Sequence, residues 1–284
     1  MEESNKNIVE EELSDSTTEK KKKNKALWWV IFALSTTAFV ICIVFVTLRG
    51  FSDSKGEEAY KELSTKVTPT PTLTDDNKPQ KVKKSGVNPI DFEKLQKENK
   101  DIVGWIRVKD TNIDYPVLRT PSSDQSYYLH RDYKGDYLYA GSIYMESCNS
   151  SAFTDRDTIL YGHNMMNGTM FADLHKFEDS SFFNKHKYFY IYTPDSIKKY
   201  LIYSAYEYDD RHINNSYKHF EDVKMFKEYI DYSLNPVSAI VSNVRKNAKV
   251  TVKDKLVTLT TCTNNRPENR FLVQGVLIKD EKTN

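Results

Sequence analysis

Hydrophobic and polar positions divide the chain into four blocks. Residues 1–25 are rich in Glu, Ser, Thr and Lys with almost no apolar residue, which predicts an unstructured polar tail. Residues 26–48 (ALWWVIFALSTTAFVICIVFVTL) are 23 positions without a charge. As a helix this run is about 34 Å long, enough to cross the hydrocarbon core of a bilayer. Residues 49–87 are polar again, and Thr68-Pro69-Thr70-Pro71-Thr72 favours extended, semi-rigid backbone, so this block reads as a stalk. From residue 88 to the end, apolar residues recur in short runs, the mark of a folded domain.

Within residues 88–284, Asn88-Pro89 predicts a helix start, with Phe92, Leu95 and Ile102 on its apolar side. Eight runs of β-branched and aromatic residues follow, at 105–108, 115–118, 141–144, 158–161, 188–192, 200–206, 256–261 and 271–278. Gly, Asn, Asp and Pro clusters separate them, and no regular alternation with helices is present. The pattern predicts a mainly β domain, closed or nearly closed into a barrel. Residues 169–177 read as a short helix. Phe220, Val223, Phe226, Ile230 and Leu234, spaced by three and four, mark an amphipathic helix ahead of the last two strands.

Charge adds a topology to this layout. Lys20 to Lys23 and Lys25 precede the apolar run, whereas Arg49, Lys55 and Lys61 are the basic residues of a similar window after it. The asymmetry predicts a cytoplasmic N-terminus and an extracellular C-terminal domain. The run is longer than the apolar region of a signal peptide and lacks a small-x-small cleavage site, so it reads as a retained anchor, with Trp28 and Trp29 at the interface. The whole chain of 284 residues carries 41 basic and 40 acidic side chains. After Val87 the two signs balance at 27 each, which argues against nucleic acid as a partner, because phosphate neutralisation needs a clustered basic excess. Three cysteines, Cys42, Cys148 and Cys262, are too few for a disulfide scaffold or a Cys-rich metal site.

Two segments carry chemistry. Leu256-Val-Thr-Leu-Thr-Thr-Cys262 is a β-branched strand ending in a thiol and opening into a polar loop, with Arg270 at the start of the next strand. A hairpin here brings a permanent cation beside the thiol, where it stabilises a thiolate and an oxyanion. Thr158-Ile-Leu-Tyr-Gly-His163 runs a hydrophobic strand into glycine and then histidine, placing an imidazole where it can exchange protons with a cysteine nucleophile.

With these motifs in order, the chain resembles the class B sortases. The likeness is carried by Thr-Leu-Thr-Thr-Cys262 with Arg270, by Ile-Leu-Tyr-Gly-His163 with Gly-Thr-Met-Phe171, and by Gly104-Trp-Ile-Arg-Val with Ile113-Asp-Tyr-Pro-Val117; Tyr127-Tyr-Leu129 and Gly141-Ser-Ile-Tyr144 fit as well. It spans about Pro89 to Ile278. It implies an eight-stranded sortase-type β-barrel with N-terminal helices and a helix before the penultimate strand, preceded by one transmembrane helix. It further implies a cysteine transpeptidase of a Gram-positive cell that cleaves a C-terminal sorting motif after Thr and passes the thioester to an amine of a peptidoglycan precursor. The implied partners are surface proteins carrying that motif, with pilin polymerisation as the alternative use of the same chemistry. By resemblance Cys262 is the nucleophile, His163 the acid/base and Arg270 the oxyanion residue, while Thr260, Thr261 and Leu129 line the substrate groove. Thr263 departs from relatives that carry an acidic residue after the cysteine. No cofactor or metal is implied.

Other readings remain open at this stage. Cys262 paired with Cys148 in a disulfide would make the domain a non-catalytic anchored binding module. Arg266, on the same loop, is a substitute for Arg270. His130, His175, His186, His212 and His219 read as ordinary structural histidines.

Overall fold

A computed structural model describes residues 2–67, 87–121, 123–237, 241–263, 266 and 268–283, with side chains described from residue 27 onward except at 48, 49 and 51–55. The chain divides into two compact units, residues 1–52 and 53–284. Helix α1 (Glu2–Val67) accounts for the described residues of the first unit, and its last turns belong to the second. In the first unit, Leu27–Thr47 is long and apolar enough to cross a membrane, and its Leu, Trp, Ile, Val and Phe side chains are exposed rather than packed.

Helix α1 runs through segments that the sequence reads as polar tail and stalk. The tail over residues 1–25 is helical back to Glu2; its many Glu and Lys residues are good helix formers. The stalk over residues 49–87 is not extended as far as Val67. Gly56, Tyr60, Leu63 and Val67 recur at helical spacing among charged residues and are buried on the second unit. Each of the larger three contributes roughly 2 kcal/mol by burial, and Tyr60 Oη donates to the Gly141 carbonyl at 2.9 Å. The folded unit therefore begins well before Asn88. The Thr-Pro run at 68–72 lies outside the described residues.

The next helix, α2 (Phe92–Glu98), starts later than Asn88-Pro89 suggested. Asp91 is its N-cap, accepting from Lys94 N, while Asn88 Oδ1 accepts from Ile90 N to shape the turn before it. The strands are β1 (Ile102–Val108), β2 (Asp114–Arg119), β3 (Ile143–Met145), β4 (Asp157–Tyr161), β5 (Tyr188–Thr193), β6 (Ser196–Asp209), β7 (Ser242–Val244), β8 (Leu256–Cys262) and β9 (Asn269–Lys282). Their order is β5-β1-β2-β3-β4-β8-β9-β6, and β5 pairs with β6 to close an eight-stranded barrel. All eight strands expected from the sequence are present. The unexpected β7 adds to the free side of β6. The β2–β3 and β4–β8 pairs are parallel and the rest antiparallel.

Trp105, Ile106, Val117, Leu118, Leu160, Val257, Leu259 and Val273, all fully buried, belong to the main hydrophobic core, which packs on both faces of the strands. The expected helix at 169–177 is a 3-10 turn at Ala172–Glu178, followed by α3 (Ser180–Lys185). After β6 come α4 (Ile213–Ser216) and the amphipathic α5 (Val223–Leu234), capped by Asp222. Phe226, Tyr229 and Ile230 of α5 form a second core with Tyr203, Tyr206 and Leu272. This is the expected helix before the penultimate strand, with β7 between the two.

Candidate active site

Strand direction decides where the chemistry collects. Because β4 and β8 are parallel, their C-terminal ends lie at one rim of the barrel, and the antiparallel β9 starts from the same rim. The last β4–β8 pair is Tyr161 with Thr260, so His163 and Cys262 follow side by side on adjacent chains. In the β8–β9 register Cys262 stands directly opposite Arg270. The three residues expected to act together thus sit at the ends of three neighbouring strands, each half-buried.

Gly162 makes the turn into this rim. Its N–H donates to the Thr260 carbonyl at 3.2 Å, and a Cβ there would meet Ile143 Cδ1 at 2.5 Å and Phe171 at 2.7 Å. His163 donates Nε2–H to the Leu129 carbonyl at 3.0 Å, which fixes the neutral tautomer and leaves Nδ1 to take a proton. Its ring stacks against His130 at 5.1 Å and Tyr139 at 5.7 Å. Burial, reinforced by the neighbouring His130, holds its pKa below the usual histidine value.

All three cysteines are free, so the pairing of Cys148 with Cys262 does not form. Cys148 donates to Glu146 Oε2 at 3.3 Å, and loss of surrounding water, with the Glu146 charge, pushes its thiol up to about 12. Burial alone would raise Glu146, but hydrogen bonds from His212, Tyr161 and Asn214 outweigh it and hold the carboxyl at about 2. Tyr161 Oη donates to Glu146 Oε1 at 2.6 Å. Tyr144, stacked on Tyr161 at 5.4 Å, has its hydroxyl pushed well up by burial and lies within electrostatic reach of Glu146, Cys262 and Arg270.

The remaining candidates are distributed around this centre. Thr260 and Thr261 are almost fully buried, at 3% and 2% exposure, so as groove residues they offer little surface. Leu129 packs its side chain on the barrel core and serves the rim through its carbonyl. Arg266 pairs with Glu207 at 3.8 Å, whereas Arg270 lies across from the thiol. Thr263 Oγ1 donates to the Arg266 carbonyl at 2.6 Å and shapes the loop. Among the described residues no cluster of three His, Cys, Asp or Glu is arranged for a metal.

Two residues at the rim escaped the sequence reading. Asn164 Nδ2 and His175 Nε2 each lie 3.0 Å from the Cys262 carbonyl oxygen. Asn164 was discoverable as the residue after His163; His175 lies in a turn whose placement over the rim no spacing rule announces.

Comparison with known proteins agrees with this arrangement. Residues 106–278 match the Sortase domain family. Sortase B of Listeria monocytogenes is 39% identical over 188 residues, covering 65% of this chain and 72% of that protein. Sortase B of Staphylococcus aureus is 32% identical over 192 residues, covering 66% and 75%. Among solved structures, the Staphylococcus aureus sortase B–substrate complex superposes with a TM-score of 0.63 at 27% identity, over 81% of this chain and 99% of that one.

Proposed function

This chain belongs to the sortase family, whose members are cysteine transpeptidases, and from that premise we propose that it is a membrane-anchored sortase of the B type that joins surface proteins to a cell-wall amine. In this reading residues 26–48 span the membrane with the N-terminus in the cytoplasm, and the barrel faces outward, where its substrates are. The exposed apolar side chains of Leu27–Thr47 support the anchor.

The chemistry follows from the rim. The Cys262 thiol attacks the Thr carbonyl of a sorting motif while its proton passes to His163 Nδ1; with His163 held below its usual range, the ring is mostly neutral at pH 7 and ready to accept it. Arg270, opposite Cys262, stabilises the oxyanion. The tetrahedral intermediate collapses as His163 returns the proton to the leaving amine, and a thioester remains on Cys262. An acceptor amine then attacks the thioester, His163 takes the amine proton, and the thiol is regenerated as the new amide forms.

The observation that carries this reading is the convergence of Cys262, His163 and Arg270 at the ends of β8, β4 and β9. The test is incubation of the full-length protein with a panel of sorting-motif peptides and an amine acceptor, with products weighed by mass spectrometry. Cleavage after Thr with transfer to the amine, absent in Cys262→Ala, is expected. Equal turnover by Cys262→Ala refutes the mechanism.

A further inference from the structure

The carbonyl of Cys262 sits where the barrel ladder runs out. In a parallel pair each donor advances by two residues, so Gly162 N–H on the Thr260 carbonyl should be followed by Asn164 N–H on the Cys262 carbonyl. That ladder bond is not made, because the chain turns away after His163: Asn164 bridges Met170 instead, and Phe171 N–H closes the turn on the His163 carbonyl at 2.9 Å. Two side chains stand in for it. Asn164 reaches back with Nδ2 to the Cys262 oxygen at 3.0 Å, and His175 brings Nε2 to the same oxygen at 3.0 Å.

His175 is itself held on two sides. Its Nδ1 lies 2.5 Å from Glu178 Oε1, and its ring stacks on Phe271, which is paired with Thr261 in the β8–β9 ladder, with centroids 5.2 Å apart and planes 26° apart. Asn164 Nδ2 also lies 3.1 Å from His175 Nε2, so the amide, the imidazole and the Cys262 oxygen form one triangle of polar contacts. The main chain at Glu178 is held by Asn243 Nδ2, which donates to its carbonyl oxygen at 2.9 Å. The result is a chain of contacts from β7 through Glu178 and His175 to the main chain of the cysteine, in a protein whose next residues, Thr263 onward, leave the sheet.

We propose that His175, braced by Glu178, is a positioning residue that with Asn164 clamps the Cys262 carbonyl and so fixes the thiol relative to the loop bearing His163. This rests on the transpeptidase reading for its catalytic consequence, although the clamp itself does not. Substrate binding depends on the groove, whereas the geometry of attack depends on the clamp, so its loss should fall on kcat and spare KM. Misplacement of a reacting group on this scale costs about tenfold to a hundredfold in rate.

The experiment uses the full-length protein carrying carbonyl-labelled cysteine, with the Cys262 resonance assigned by its loss in Cys262→Ser. His175→Phe keeps a ring for the stack but removes the Nε2 contact; His175→Gln restores a polar side chain there. His175→Phe should shift the Cys262 carbonyl resonance and lower kcat about tenfold or more at unchanged KM, and His175→Gln should recover most of both. An unmoved resonance, or kcat within about twofold of wild type in a folded His175→Phe protein, overturns the proposal. If His175→Phe does not fold, Glu178→Ala replaces it and must give a smaller change of the same kind; no change overturns the proposal. If the wild type transfers no peptide, the functional reading fails while the carbonyl resonance still decides the clamp.

Discussion

Replacing Asp157 by Asn should remove a titration that the fold works against. Asp157 begins β4 and is fully buried, with its Oδ2 accepting from Thr258 Oγ1 at 2.7 Å. Around it Gln274 donates to Thr258 Oγ1 at 3.0 Å and to Tyr229 Oη at 2.6 Å, tying β8, β9 and α5 together. Burial dominates these hydrogen bonds and raises the carboxyl from 3.8 to about 7. Below pH 3.8 the group is protonated in both folded and unfolded chains and costs nothing. As pH rises from there to about 7, the unfolded chain releases a proton that the folded chain retains, so stability falls. The three-unit shift corresponds to about 4 kcal/mol, reached near pH 7 and level above it.

Asn at this position keeps an acceptor for Thr258 and does not titrate. Chemical unfolding of wild type and Asp157→Asn, followed by near-ultraviolet circular dichroism from pH 4 to 8, isolates the effect as a difference curve, since other titrating groups cancel. The variant should gain on wild type by about 4 kcal/mol across that window. A difference curve flat to within about 1 kcal/mol, or one in which wild type gains with rising pH, refutes the argument.

Three further outcomes follow from particular contacts. The acid limb of kcat/KM should have its midpoint below about 6.5, because burial and His130 keep His163 deprotonated; a midpoint above that value contradicts the assignment of the base. Gly141→Ala should cut turnover about tenfold or more, since at φ +60° its Cβ would lie 2.2 Å from the Leu129 oxygen that holds His163, and near wild-type rates in a peptide-cleavage assay would show that this carbonyl is dispensable. His212→Ala should lower Tm at mild acidity and progressively less at higher pH: the Glu146 carboxylate raises His212, so the stabilisation is present below about 6.5 and fades as pH passes the folded value. A Tm deficit that does not shrink with pH counts against that pair.

Much of this molecule was legible because local pattern and tertiary role agreed. The strand 256–262 is rich in Val and Thr and buried up to its cysteine, and the four-residue spacing of Phe226 and Ile230 matched the face that α5 buries. The failures came where partners are remote. Tyr60, Leu63 and Val67 are three apolar positions among lysines and glutamates, too sparse to register as a core helix until the barrel surface that covers them is known. β7 is three residues long and is defined by its pairing with β6, not by its own composition.

The site itself depends on the least local fact of all. β4 and β8 are about a hundred residues apart in sequence, and only their parallel pairing sends Gly162-His163 and Cys262 to the same end of the barrel. An antiparallel pairing of the same two strands, with identical hydrophobic patterns, would place the thiol and the imidazole at opposite rims, roughly a strand length of about 17 Å apart. Motif order alone does not distinguish these cases. The parallel register also explains why the rim needs side-chain substitutes: once the chain turns at Gly162 to present His163, the last carbonyl of β8 loses its ladder donor, and Asn164 with His175 supplies what the turn removed. Exposing an acid/base at the end of one strand and holding a nucleophile at the end of its neighbour are therefore a single structural problem, and the polar residues that solve it are the ones least visible in the hydrophobic pattern.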